Sequence, residues 1–175
     1  MKPKTSILGA LVALALAGSL NAQELQNTVM RDLEDVERKF LGLAEAIPQS
    51  SYSWRPMEGV RSVSEVLMHV VSANYAILLR VGADLPEGPP EAWLSDPDSF
   101  TNQGVIVEAL KQSFKFARDV IGRTPNDGLW VQAPQAGPGT TVGSQLILLQ
   151  FHAHEHLGQM IAYARVNGVV PPWSR

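Results

Sequence analysis

The sequence predicts an all-α fold, a four-helix bundle forming one domain. Four segments repeat apolar residues at three- and four-residue steps, which lays an apolar stripe along each helix. No segment sustains the period-two alternation of a half-buried strand. Two long connections dense in Gly and Pro separate the later segments. Helices of this length joined by such loops pack as a bundle.

The first helix is expected over about 24–47, where Leu25, Val29, Leu33, Val36, Phe40 and Leu43 form one stripe. Pro48 and the polar run 49–53 end it. The second is expected over about 63–81. Ser62 and Glu65 make an S-x-x-E capping box at its start, and Gly82 and Pro86 stop it. The stretch LPEGPPEAWLSDPDSF, 85–100, is too broken for regular structure. The third helix runs over about 102–121, with Val105, Leu110, Phe114, Ala117 and Ile121 near one face. A second Gly- and Pro-rich loop, 124–141, leads to the fourth helix over about 142–166. Thr141 is its N-cap and Gly168 lies just past its end.

Ahead of the bundle, residues 1–22 read as a cleaved signal peptide. Lys2 and Lys4 give a positive start, Ile7 to Ala17 an apolar run, and Ala22 a small residue at the expected cleavage point. The run is shorter than the ~20 residues of a spanning helix. The remaining segment, 23–175, is one domain, expected outside the cytoplasm as a periplasmic or secreted protein with no membrane attachment after cleavage. No Cys occurs, so the domain has neither a lipid-anchoring thiol nor a disulfide. Its core alone must hold it, and 45% hydrophobic residues supply that core. Taking Lys2 and Lys4 from 14 basic residues leaves 12 against 17 acidic. With no basic cluster, nucleic acid and anionic membrane surfaces are excluded as partners.

The chemistry concentrates in F-H-A-H-E-H-L-G-Q, residues 151–159, which holds three of the four His. His152 and His156 are one helical turn apart on one face, their Cβ atoms ~5–6 Å from each other. Gln159 shares that face. His154 is rotated about 200° from His152 and reads as a surface or dimer-contact residue. The fourth, His69, lies on the second helix with Ala73 one turn later, which leaves room for an ion and a ligand. If helices two and four are neighbours, His69, His152 and His156 complete a three-His site with one position open, the arrangement of a catalytic zinc centre. Nickel, copper and iron also accept imidazole. Ala153 follows His152 where a zinc protease would need Glu, so that motif is absent. Spacing alone leaves a metal site and packed or solvated histidines both open.

Around the site, Glu65 either accepts a hydrogen bond from a ligand imidazole or closes the capping box on Ser62. Gln159 either orients a bound molecule or bonds a neighbouring helix. Glu155 is either a base near the ion or a solvated charge. Trp54, Trp93, Trp130 and Trp173, all in loops or tails, either line a ligand cleft or seal the bundle ends.

Two blocks of the chain resemble the DinB-like superfamily, a group of metalloenzyme-like proteins. The first is W-R-P-M-E-G-V-R-S-V-S-E-V-L-M-H-V, residues 54–70, where Glu65 and His69 match. The second is residues 151–172, where His152, His156, Gly158, Gln159, Arg165, Gly168, Pro171 and Pro172 match. The resemblance implies a four-helix bundle with an unusual crossover and one divalent metal ion, zinc or nickel, on His69, His152 and His156. It also implies frequent homodimers. Characterised relatives include thiol-dependent transferases and isomerases that use bacillithiol or mycothiol. The export signal sets this chain apart, because those thiols are mainly cytoplasmic. The expected function is therefore an exported metal-dependent hydrolase or group transferase acting on an unidentified small molecule, the ion serving as Lewis acid. The alternative is a non-catalytic periplasmic module that binds a metal or small ligand.

Overall fold

The structure, a computed structural model, describes residues 7–88 and 91–174, with side chains described from residue 23 onward. Among the described residues five α-helices form: α1 Ile7–Ala46, α2 Val63–Arg80, α3 Ala92–Ser95, α4 Gln103–Arg123 and α5 Val142–Val166. Among the described residues there is no strand, and one isolated antiparallel bridge joins Gln132 to Thr141. None of the described helices is long and apolar enough to cross a membrane.

The ends of the helices follow their sequence signals closely. Ser62 accepts from the Glu65 amide at 3.3 Å while the Glu65 carboxylate accepts from the Ser62 amide at 2.8 Å, a complete capping box. Thr141 caps α5 by accepting from the Ser144 amide at 3.2 Å. Gly168 takes φ 75° at the end of α5, where its amide donates to the Arg165 carbonyl and that of Val169 to Ala164. That paired closure satisfies the last carbonyls and suits a residue without Cβ.

Three expectations need correcting. The stretch 85–100, expected to hold no regular structure, carries α3 and a 3₁₀ turn at Pro97–Ser99, because Glu91 to Asp96 contain neither Gly nor Pro. The first helix begins at Ile7, well before residue 24. The stretch 7–22 is rich in Ala and Leu and contains no Pro, so nothing local breaks the helix before Pro48. Residues 1–6 of the expected signal segment lie outside the described residues. On α4, Val105 is exposed and Ile106 takes its place in the core. Asn102 caps the helix through the Val105 amide, which fixes Val105 in the first turn, turned towards solvent.

The helices do not pack in chain order. α1 lies against α4 and α5, and α2 also lies against α4 and α5, so α1 and α2 sit across the bundle from each other. Hydrogen bonds fix the directions. Tyr52 donates its hydroxyl to the Ala44 carbonyl at 2.6 Å, and its own carbonyl accepts from the Ser64 amide, which joins the end of α1 to the start of α2. Gln103, at the start of α4, donates to the carbonyls of Ala44 and Ile47 at the same end. Tyr163, near the end of α5, donates to the Arg61 carbonyl just before α2 at 3.0 Å. α2 and α4 therefore run parallel, and the chain must return the length of the bundle between them. That return carries α3, which packs on α2 and buries Trp93.

The core is continuous. Phe40, Leu67, Met68, Leu110 and Phe114 are fully buried, with Phe40 and Phe114 in tilted contact at a centroid distance of 5.9 Å. α2 is buried towards both its neighbours, which leaves only a narrow strip carrying His69, Ala73, Ala76 and Arg80 towards the outside. That strip faces the seam with α5, and the chemistry lies there.

Candidate metal centre

His69 projects from α2, and His152 and His156 project from successive turns of α5, the helix packed against it. The seam brings the three half-buried rings together. Centroid separations are 4.9 Å for His69–His152, 4.8 Å for His69–His156 and 4.5 Å for His152–His156. One ring nitrogen from each lies within 4.8 Å of the others. The Nε2 atoms of His69 and His152 are 3.0 Å apart. Ligands at ~2.0–2.1 Å from a tetrahedral ion would be about 3.3 Å from one another, so this pair is already close to coordinating separation.

The orientation of the His156 ring follows from its neighbours. The Arg61 carbonyl can only accept, so the Tyr163 hydroxyl donates to it, at 3.0 Å. The Tyr163 oxygen then accepts from Gln159 Nε2 at 2.9 Å. The Gln159 Oε1 that remains accepts from His156 Nδ1, at 2.8 Å. A backbone carbonyl thus fixes the amide orientation and the tautomer, leaving the lone pair of His156 on Nε2. Trp54 meets the Tyr163 ring edge-on at 5.2 Å and holds the relay in place.

Burial favours the neutral form of His69 and His152. It lowers the His69 pKa to about 4, helped by the charges of Arg61, His156 and His152. His152 is lowered too, chiefly by burial and then by His156, with Glu155 opposing. Since the folded-state value of His69 is depressed, its contribution to stability is intact above about pH 6.5. It is lost as pH falls from there towards 4. Neutral imidazoles are the form that donates to a metal. His152 Nδ1 is buried with no hydrogen-bond partner. A neutral, poorly satisfied imidazole pair beside a tautomer-fixed third suits a divalent ion of intermediate softness.

Glu65 has other partners. Its carboxylate accepts from the Ser62 amide and from Arg55 Nη2 at 2.6 Å, so both oxygens are engaged away from the imidazoles. Of its two expected readings, the capping box is the one observed. Gln159 contacts His156 directly. Glu155 is exposed. His154 is exposed on another face, its Nε2 2.8 Å from Asp32 Oδ2 on α1. The tryptophans divide: Trp54 supports the relay, Trp93 is buried under the crossover, and Trp130 is 62% exposed. Tyr163 was missed at the sequence level, although its spacing held the signal. His152, His156, Gln159 and Tyr163 follow one another by four, three and four residues along one helix face. The part played by the Arg61 carbonyl had no such signal, because a backbone acceptor is invisible in residue identity.

A cleft of about 470 Å³ opens beside His69 and His152, walled by α2, by Leu148 of α5 and by Leu94 of α3. The three-His group thus adjoins space for a small molecule.

Comparison with known proteins supplies one match. A family model described as the DinB superfamily matches residues 32–160, a span that holds all three clustered histidines and Gln159. No curated protein and no solved structure matches.

Proposed function

The chain belongs to the DinB superfamily, and from that premise we propose that it is an exported metal-dependent enzyme, a hydrolase or group transferase. One divalent ion, zinc or nickel, would be held by His69, His152 and His156. The observation that carries this reading is the convergence of three imidazoles, one nitrogen of each within 4.8 Å of the others, two of them lining a cleft. A site built only for storage would close over its ion, whereas this group borders open space. That favours an enzyme over the non-catalytic binding module.

When bound, the ion supplies Lewis acidity to a polar group of the substrate. The chain's own residues supply the rest. His156 is kept in a metal-donating tautomer by Gln159, Tyr163 and the Arg61 carbonyl. α2 and α5 hold the three rings on regular, packed helices, which limits their motion. Leu94 and Leu148 present an apolar wall to the cleft beside the imidazoles. Cleavage of a signal peptide after Ala22 and pairing of two copies complete the proposal. The signal rests on the charge and apolar pattern of residues 1–22, and the pairing on the family resemblance.

The direct test is elemental mass spectrometry of the protein purified without added metal. About one zinc or nickel per chain is the expected result. No bound metal, together with no thermal shift on adding zinc or nickel, would sink the reading.

The relay makes its own prediction. Gln159→Leu removes the acceptor of His156 Nδ1–H and frees the ring to rotate. Loss of such an outer partner typically costs 10–100-fold in metal affinity. Competition against a chromophoric chelator should show a drop of that order, with stoichiometry still one. An unchanged affinity would mean that Gln159 has no part in orienting the ligand.

A further inference from the structure

The cleft beside the histidines has a composition that selects its occupant. Ala73, Ala76, Ile77, Leu94 and Leu148 give it an apolar wall. Ser72 also lines it, but its hydroxyl donates to the His69 carbonyl at 3.1 Å, so its proton is already used. Among the described residues on that wall the one permanent charge is Arg80, which is exposed and forms no ion pair. Such a surface cannot satisfy the many hydroxyls of a sugar or the repeated amides of a peptide. It can cover a hydrocarbon body and meet one anionic group.

The spacing of the two polar ends sets a length. His69, Ala73, Ala76 and Arg80 follow one another at helical steps of four, three and four, so they line one face of α2. Eleven residues of α-helix rise about 16 Å; both side chains lean towards the N-terminus, so only the greater length of the Arg80 side chain shortens the span to the His69 imidazole. The distance left between guanidinium and imidazoles is on the order of 10 Å. Small side chains at 73 and 76 keep the path between them open.

We propose that this cleft binds a small anionic amphiphile, its acid group on Arg80, its apolar body of roughly six to eight carbons over Ala73 and Ala76, and its reacting polar group at the histidines. The orientation rests on the metal-site reading, whereas binding of the apolar acid does not.

The test therefore runs in both metal-free and zinc-loaded protein, by titration calorimetry, with thermal melts to confirm that each variant is folded. Octanoate is the first probe and octanamide its neutral counterpart. In metal-free protein octanoate should bind saturably and more tightly than octanamide. Arg80→Gln should weaken octanoate at least about fivefold and leave octanamide unchanged, as loss of a partly solvated charge contact implies. Ala73→Phe should fill the cleft and weaken both probes at least about tenfold. In zinc-loaded protein suberic acid monohydroxamate should bind at least about tenfold tighter than acetohydroxamate, with Arg80→Gln removing part of that gain.

Absence of saturable octanoate binding would overturn the proposal, as would indifference to Arg80→Gln or a loss caused by Arg61→Gln in its place. Equal affinity of the two hydroxamates would overturn the orientation. Protein that takes up no zinc yet binds octanoate through Arg80 would refute the metal-site reading and retain the cleft. Protein that takes up zinc but ignores octanoate would do the reverse.

Discussion

The His69→Ala/His152→Ala double variant is expected to carry almost no metal, and zinc is expected to lose its stabilising effect on it. Four-ligand zinc sites bind with roughly 10–16 kcal/mol, about 2.5–4 kcal/mol per ligand. Removing two of three imidazoles should therefore weaken binding on the order of 10⁵-fold. The remaining His156 would hold an ion no better than an isolated surface histidine. Binding to the folded state alone raises stability by about 2.7 kcal/mol at a hundredfold excess over Kd. For a domain of this size that corresponds to a rise of roughly 5–10 °C in Tm. The parent should show this rise with zinc and lose it with chelator, and the variant should show neither.

The metal-free variant should also melt close to the metal-free parent. His69 and His152 are half-buried, and His152 Nδ1 has no partner to lose. Replacing these rings removes a desolvated pair held neutral by burial, so little native bonding disappears with them. That control separates loss of the ion from loss of the fold. Equal zinc shifts in parent and variant would show that zinc binds elsewhere, with His154 and Asp32 the next pair to examine.

Why the site was legible in outline but not in detail is a matter of what residue identity encodes. His152 and His156 are related by one helical turn, so their shared face follows from spacing alone. His69 is 83 residues from His152, and its place depends on α2 packing against α5. Helical periodicity says which face of a helix is buried but not which helix covers it. The crossover that makes α2 and α4 parallel had no local signal; only the family resemblance implied it. The helix boundaries were clearer, since α5 spans the expected 142–166 and α2 differs by one residue at its end. Ser62, Thr141 and Gly168 mark those boundaries by bonding the backbone locally. The broken loop 85–100 hid a different fact: Trp93 and Leu94 fold back onto α2, one buried and the other walling the cleft. Gly and Pro reveal that a helix stops, but not where the following loop comes to rest.

Phe114→Ala should cost about 3–5 kcal/mol of folding stability without changing how many metal ions the protein binds. Phe114 lies on α4, fully buried, with its ring against Phe40 of α1. Truncation removes the transfer free energy of the ring and leaves a cavity that rigid helices cannot close. The tilted contact with Phe40 is lost as well, worth about 0.5–1.5 kcal/mol in such pairs. Typical domains have only 5–15 kcal/mol in reserve, so the denaturant midpoint should fall sharply while the slope stays constant. Phe114→Leu keeps most of the volume and should cost far less. The ligands stand on α2 and α5, and α4 touches only the first of these closely. Metal stoichiometry measured well below the variant's unfolding midpoint should therefore remain that of the parent. If Phe114→Ala also emptied the site in fully folded protein, the imidazoles would depend on the packing of α1 against α4. The seam between α2 and α5 would then not be sufficient to build the metal centre.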